Sequence, residues 1–356
     1  MTPDNLQFPT DFCWLHGEPA VSAEIRHENA DFQVFEQLGF EPEGEGEHVF
    51  LYIRKNGENT DWVARQLAGF CQVSPREVSY SGKKDRHAVT EQWFCIRLGV
   101  HRNMTWSLFG GDSVEVLKAV RHPRKLRLGV HRSNRFRLRL TQVSDMDALE
   151  QRFARLAEGV PNYFGEQRFG FGFGNIQKGV ALIRGELKER QRHKKGLYLS
   201  AVRSWLFNHL LSQRIAEGRW ASIMPGDVLM LDGSNSCFAA EAELDDLARR
   251  LASADLDLTG PMPGLAGRLL GGQAAIWEGE TLAAWQSLID DLTRLGLRSE
   301  RRSLRLRPQG LAMQRESDRQ CWLEFELPAG AFATSVLREL CHFRVSRPAT
   351  GQSTDD

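Results

Sequence analysis

The chain has 356 residues, 41% hydrophobic and 26% charged, with 46 basic and 46 acidic side chains. That length and balance describe a globular protein of about two domains, and a neutral total announces no nucleic-acid partner by bulk charge, so any such partner must be met by a local patch. Six scattered cysteines without C-x-x-C pairs or zinc spacing read as reduced thiols of a cytoplasmic protein; no apolar run approaches the roughly 20 residues that cross a bilayer, and the N-terminus carries no signal-peptide pattern.

Residues 23–38 read as extended, with Ile25, Phe32, Val34 and Leu38 on the apolar phase, and a Gly/Glu/Pro loop follows at 39–46. A strand is expected at 48–54. Asn59 or Thr60 then caps a helix through Val63, Leu67 and Phe70, and Ser74-Pro75 opens a short helical turn. Between the β-prone segments 78–80 and 93–98 lies the polar loop Ser81-Gly82-Lys83-Lys84-Asp85-Arg86-His87. It holds one acid among four basic side chains. Surrounding positive charge favours the ionised carboxylate, so Asp85 is a candidate nucleophile or base on a loop between two strands. The plain alternative is a charged surface hairpin.

A strand is expected at 113–120. From Val116 to Ser144 there are nine Lys and Arg and no Asp or Glu. In Asn134-Arg135-Phe136-Arg137-Leu138-Arg139-Leu140, a period of two places the arginines on one face, a candidate phosphate-binding face, and Asn134 with Phe136 on the other. An Asn on an apolar stripe needs partners or lines a cleft. Ser144 and Asp147 resemble a capping box for a helix ending at Gly159. The Gly/Phe stretch 161–174 marks a domain boundary.

Residues 160–306 read as mostly helical: an amphipathic helix at 198–218, an acidic one at 239–256 and another at 278–296, with Pro261-Met262-Pro263-Gly264 as a loop. Strands resume at 303–307, 311–314 and 320–327, and Pro328-Ala329-Gly330 turns into a last helix at 331–341. The tail after Arg347 is short and polar. Strands at both ends and helices in the middle give one α+β domain built from both termini, with a helical domain inserted. No metal constellation, P-loop or G-x-S-x-G elbow is present. A loop acid in basic surroundings, an Arg-bearing strand and spare aromatics suit an anionic polymer with one base taken out of its stack.

These residues resemble a known family. Ser81-Gly82-Lys83-Lys84-Asp85-Arg86-His87-Ala88-Val89-Thr90-Glu91-Gln92 is similar to the G-x-K-D-[RK]-x-A-x-T-x-Q signature of the TruD class of tRNA pseudouridine synthases. Asn59-Thr60-x-Trp62-x-Ala64, Arg132-x-Asn134-x-Phe136, Pro161-Asn162-Tyr163-Phe164-Gly165-x-Gln167-Arg168-Phe169-Gly170 and Pro328-Ala329-Gly330-x-Phe332-Ala333-Thr334-Ser335 follow the family's further motifs in order. Asn29-Ala30 stands where the family usually shows Pro-Glu before Asp-Phe. The resemblance implies a pseudouridine-synthase-like, largely antiparallel mixed-sheet catalytic domain (1–159 and 307–356) and a mostly helical inserted domain (160–306). It implies isomerisation of a tRNA uridine, at position 13 in the bacterial family, by a monomer without cofactor or metal. Asp85 falls on the catalytic position, and Phe32, Asn134 and Phe332 on uridine-contacting ones. Phe136 stands where other classes place Tyr. Arg26 is the candidate basic partner of Asp85, with Lys84 as the alternative. A catalytically silent RNA-binding or RNA-folding protein and a base-excising hydrolase are the competing functions.

Overall fold

The computed structural model describes residues 6–241, 243–265 and 270–346; the expectations for the extreme N-terminus and for the tail after Arg347 fall outside them. In chain order come β1 (Ser22–Ile25), β2 (Phe32–Leu38), β3 (His48–Asn56), α1 (Thr60–Phe70), β4 (Val78–Tyr80), β5 (Val89–Arg97), β6 (Val114–His122), β7 (His131–Thr141) and α2 (Met146–Arg155). Next are β8 (Val160–Pro161), α3 (Gly174–Ile183), α4 (Arg192–Ala216), β9 (Val228–Leu231), β10 (Cys237–Ala239), α5 (Leu244–Ala252), β11 (Leu256–Met262), α6 (Gly272–Leu282), α7 (Gln286–Arg294), β12 (Glu300–Ser303) and β13 (Arg305–Leu306). The chain closes with β14 (Gln309–Ser317), β15 (Gln320–Pro328), α8 (Ala333–Leu340) and β16 (His342–Val345).

The fold is α+β. Two compact units divide it: residues 19–158 with 307–356, and residues 1–18 with 159–306. The division differs from the expected one in the first 18 residues, which group with the inserted segment. The reason is local packing. Phe8 meets Trp205 edge-on at 4.9 Å, Phe12 stacks on Tyr163 at 5.4 Å, and the Trp205 Nε1–H and Tyr163 O–H donate to the carbonyls of Pro9 and Cys13.

The larger unit is a ten-stranded sheet, ordered β14-β15-β7-β2-β5-β3-β6, with β4 added on β5 and β1 joining β7 to β16. Pairing is antiparallel except for β2 with β5 and β1 with β16. Register places Phe32, Val34 and Glu36 of β2 opposite Leu138, Phe136 and Asn134 of β7, and Val34 opposite Thr90, which in turn pairs with Lys55. These residues therefore share one sheet face. The apolar part of that face is covered by α1: Val63, Leu67 and Cys71 pack on Leu51, Ile53, Phe94 and Ile96. Asn59 caps α1 by accepting from the Asp61 N–H at 2.8 Å. At α2 the cap is Asp145, accepting from Ala148 N–H, and not Ser144, whose hydroxyl accepts from the Ser22 N–H on β1.

The second unit is less helical than the sequence pattern implies. Helices α3 and α4 form an antiparallel hairpin, close enough at Gly179 that a Cβ there would stand 2.5 Å from the Tyr198 carbonyl. Beside them lies a four-stranded sheet, β10-β9-β11-β12. The segment expected as a loop at 261–264 begins inside β11, because the Pro261 and Met262 main chain pairs with Arg301 and Glu300 of β12. The acidic helix is confined to α5, with strands on either side. The core holds one buried ion pair, Arg214 with Asp227, both about 1% exposed.

No helix of the described residues is long and apolar enough to cross a membrane.

Candidate active site

The loop 81–88 joins β4 to β5, and its main chain is fixed from beneath by the shared sheet face. Gln92 donates from Nε2 to the Gly82 carbonyl at 3.0 Å. Thr60 accepts from the Lys84 N–H at 3.1 Å and donates to Gln92 Oε1 at 2.9 Å. The Lys55 ammonium donates to the carbonyls of Asp85 and Glu58, each at 2.8 Å. Arg86 donates from Nε to the Gly57 carbonyl at 3.2 Å. At Gly82 the packing is close: a Cβ there would lie 3.2 Å from the His131 ring and 3.4 Å from Lys84 Nζ.

Asp85 projects from this frame with its side chain 49% exposed, and Arg26 Nη2 meets Oδ2 at 2.5 Å. Arg26 ends β1 in a left-handed backbone conformation (φ +60°), which turns the chain at once toward Phe32. Its guanidinium lies over the Phe32 ring, 3.8 Å from the centroid, a stacking geometry favourable for a cation on an aromatic face. One side chain thus contacts both the carboxylate and an aromatic of the site.

Of the two candidate partners, Arg26 takes the contact with Asp85. Lys84 turns instead to Glu36, and that ion pair is nearly sealed, with side chains 6% and 0% exposed. Glu36 also accepts from the Trp93 N–H at 3.0 Å. Lys83 lies outside the site, where Asp61 accepts from both Lys83 Nζ (2.7 Å) and the Tyr80 hydroxyl (2.5 Å).

Asn134 is buried opposite Glu36 on the same face. Its Nδ2 is 3.3 Å from His131 Nε2, and its Oδ1 is buried without a hydrogen-bond partner. Burial lowers the His131 pKa, opposed by Glu36 and reinforced by Lys84. A neutral ring accepts from the Asn amide, leaving Oδ1 as the unused acceptor. Phe32 and Phe136 meet edge-on at 6.4 Å, Phe136 stacks on Phe325 at 5.6 Å, and both are buried. Phe332 is half-buried and immediately precedes α8, four residues beyond Pro328, whose strand pairs with Ser133.

The arginine face of β7 is not a free phosphate surface. Glu324 of β15 stands 3.5 Å from Arg135 and 3.0 Å from Arg137, and Glu316 of β14 stands 2.8 Å from Arg139. Trp322 lies under Arg137 and Phe35 under Arg135. Glu324 and Glu316, which neutralise this strand, come about 180 to 190 residues later in the chain, which no count within 116–144 reveals. Sequence reading also passed over Glu36, Lys55, Thr60, Gln92 and His131. The first two carried a signal: each is a charged residue on the buried phase of an otherwise apolar stripe, Phe32-Val34-Glu36 and Val49-Leu51-Ile53-Lys55.

Among the described residues no group of three or more His, Cys, Asp or Glu is placed to hold a metal ion.

The family model described as tRNA pseudouridine synthase D (TruD) matches residues 12–193 and 185–340. The tRNA pseudouridine synthase D of Aeromonas hydrophila is 47% identical over 329 residues, covering 92% of this chain and 93% of the relative. That of Methylococcus capsulatus is 43% identical over 330 residues, with 92% and 93% covered. A solved structure from Methanosarcina mazei, assigned to tRNA pseudouridine synthase D, superposes with a TM-score of 0.69 at 20% identity, covering 94% of this chain and 95% of its own, which supports the fold. With matched segments that run through both structural units and carry the loop of Asp85, the chain belongs to the tRNA pseudouridine synthase D (TruD) family.

Proposed function

We propose that this chain isomerises a uridine of tRNA, at position 13, to pseudouridine, with Asp85 as the catalytic carboxylate. The observation that carries the reading is the pairing of a half-exposed carboxylate held by Arg26 with a buried, unpartnered acceptor, Asn134 Oδ1, on one sheet face. The reaction breaks the C1′–N1 bond and forms C1′–C5; the C5 proton is lost and N1 gains one, so nothing is consumed. Whether Asp85 attacks carbon or removes the C2′ proton, its carboxylate must reach the ribose, and the Arg26 guanidinium holds it from the side. The detached uracil must turn without escaping, which demands a pocket that stacks and orients the ring. Phe332 supplies the stacking face, Phe32 and Phe136 the apolar floor, and Asn134 Oδ1 accepts from uracil N3–H. Cytosine has no hydrogen at N3 and leaves that acceptor unpaired.

The test is incubation of unmodified tRNA with the protein, followed by nucleoside analysis. Pseudouridine at position 13 is expected. Release of free uracil would make the protein a base-excising hydrolase, and binding without either product a silent RNA-binding protein. Asn134→Ala is expected to lower kcat/KM by about 10- to 100-fold, the worth of one hydrogen bond made in a dry site, with the melting temperature little changed. An unaltered kcat/KM would remove Asn134 from base recognition.

A further inference from the structure

Lys55 is a buried charge at the site that the mechanism above does not use. Its side chain is fully shielded, at 0% exposure, on the apolar phase of β3. A lysine there is costly unless its donors are met. Two of them are, by the main-chain carbonyls of Glu58 and of Asp85 itself. These acceptors lie on the two segments that must stay in register for the site to exist: the turn leading into α1 and the catalytic loop. Among the described residues, the carboxylates of Asp85 and Glu58 favour the ammonium and Lys84 opposes it.

We propose that Lys55 is a positioning residue for Asp85: its ammonium clamps the Asp85 main chain so that the carboxylate is presented to the ribose while Arg26 holds it from the side. The clamp rests on Asp85 being the catalytic carboxylate. Charge-assisted bonds to carbonyl oxygens are about twice as strong as neutral ones, and reacting groups displaced by about 1 Å lose on the order of 100-fold in rate. Thr60 and Gln92 hold the loop at Lys84 and Gly82, and among the described residues it is Lys55 whose side chain donates to the Asp85 carbonyl.

The charged groups facing Lys55 are Asp85 and Lys84 from the loop and Glu58 from the turn. Burial, as the largest influence, lowers its pKa to about 8. The cationic form therefore prevails below that value and is lost as pH rises through it.

The experiment is single-turnover conversion of unmodified tRNA by the full-length wild type and by Lys55→Met, from about pH 6 to about pH 10, together with tRNA binding. The wild-type rate is expected to fall as pH passes about 8. Lys55→Met is expected to run on the order of 100-fold slower at neutral pH, without that fall and with tRNA affinity unchanged within about twofold. Should Lys55→Met fail to fold, Lys55→Arg keeps a cation against the same two carbonyls; its rate is expected to retain no alkaline fall, since guanidinium does not titrate there. A Lys55→Met rate within about threefold of wild type overturns the proposal, as does a Lys55→Arg profile that falls as the wild type does. If the wild type makes no pseudouridine, the assignment of function fails first; an active wild type with an indifferent Lys55 sinks the clamp alone.

Discussion

Replacing Asp85 by Asn is expected to abolish pseudouridine formation, by on the order of 10⁴-fold or more in the single-turnover rate, as for removal of other enzymes' reacting groups. The substitution keeps size and shape, so the Lys55 contact to the Asp85 carbonyl and the Thr60 and Gln92 contacts to the loop persist. What goes is the negative charge, and with it both nucleophile and base. Arg26 loses its counter-ion, but the pair is open to water on the Asp85 side, so the stability change is held under about 1 kcal/mol. tRNA affinity is expected to remain, or to rise slightly as one negative charge leaves a phosphate-facing surface. The paired readouts are decisive: a folded variant that binds tRNA and still makes product within about tenfold of the parent rate would remove Asp85 from the chemistry.

The largest stability effect is expected in the other unit, at Asp227. Its carboxylate accepts from Arg214 Nη1 at 2.9 Å and Nη2 at 2.7 Å, and from the Met224 N–H at 2.7 Å. Arg214 donates further to the carbonyls of Arg219 and Ser222. The network ties the end of α4 to the turn that starts β9. Asp227→Ala leaves a buried guanidinium without its counter-charge, and breaking such a pair costs about 3–5 kcal/mol. In a unit of this size that lowers the melting transition by about 6–20 °C. Calorimetry of the full chain reads the shift. The double variant Arg214→Met with Asp227→Leu is expected to recover part of it, because an apolar pair of similar volume carries no charge to desolvate. A single-variant shift below about 2 °C would mean that water reaches the pair.

Much of the catalytic unit was legible in sequence because its strands are apolar and β-prone. β2 and β7 lie where the period of two places them, β3 and β5 coincide with apolar runs, and the cap at Asn59 follows from residue type. The loop of Asp85 stood out by charge, whereas Arg26 came only with the family resemblance. The rest depended on facts that a linear pattern does not contain. Arg135, Arg137 and Arg139 look free until β15 brings Glu324 beside them. Lys84 looks like a partner for Asp85 until register puts Glu36 beneath it. β11 was missed because a short, fully buried strand lacks alternation and because Pro261-Met262-Pro263-Gly264 reads as a loop, and β9 because four residues are too few to show a period. In each case tertiary pairing overrode a local cue.

The strand that supplies Arg26 has a further consequence, for synthesis on the ribosome. β1 pairs with β16 along Ser22–His342 to Ile25–Val345, and the segment before it packs on Tyr163 and Trp205. These residues therefore wait for partners made about 150 to 320 residues later, at roughly 5–20 residues per second. Both units close on late-arriving chain, and such long loops fold slowly. A nascent chain stalled before β16 exposes the open edge of β1, and with it an Arg26 whose strand is not yet paired on that side.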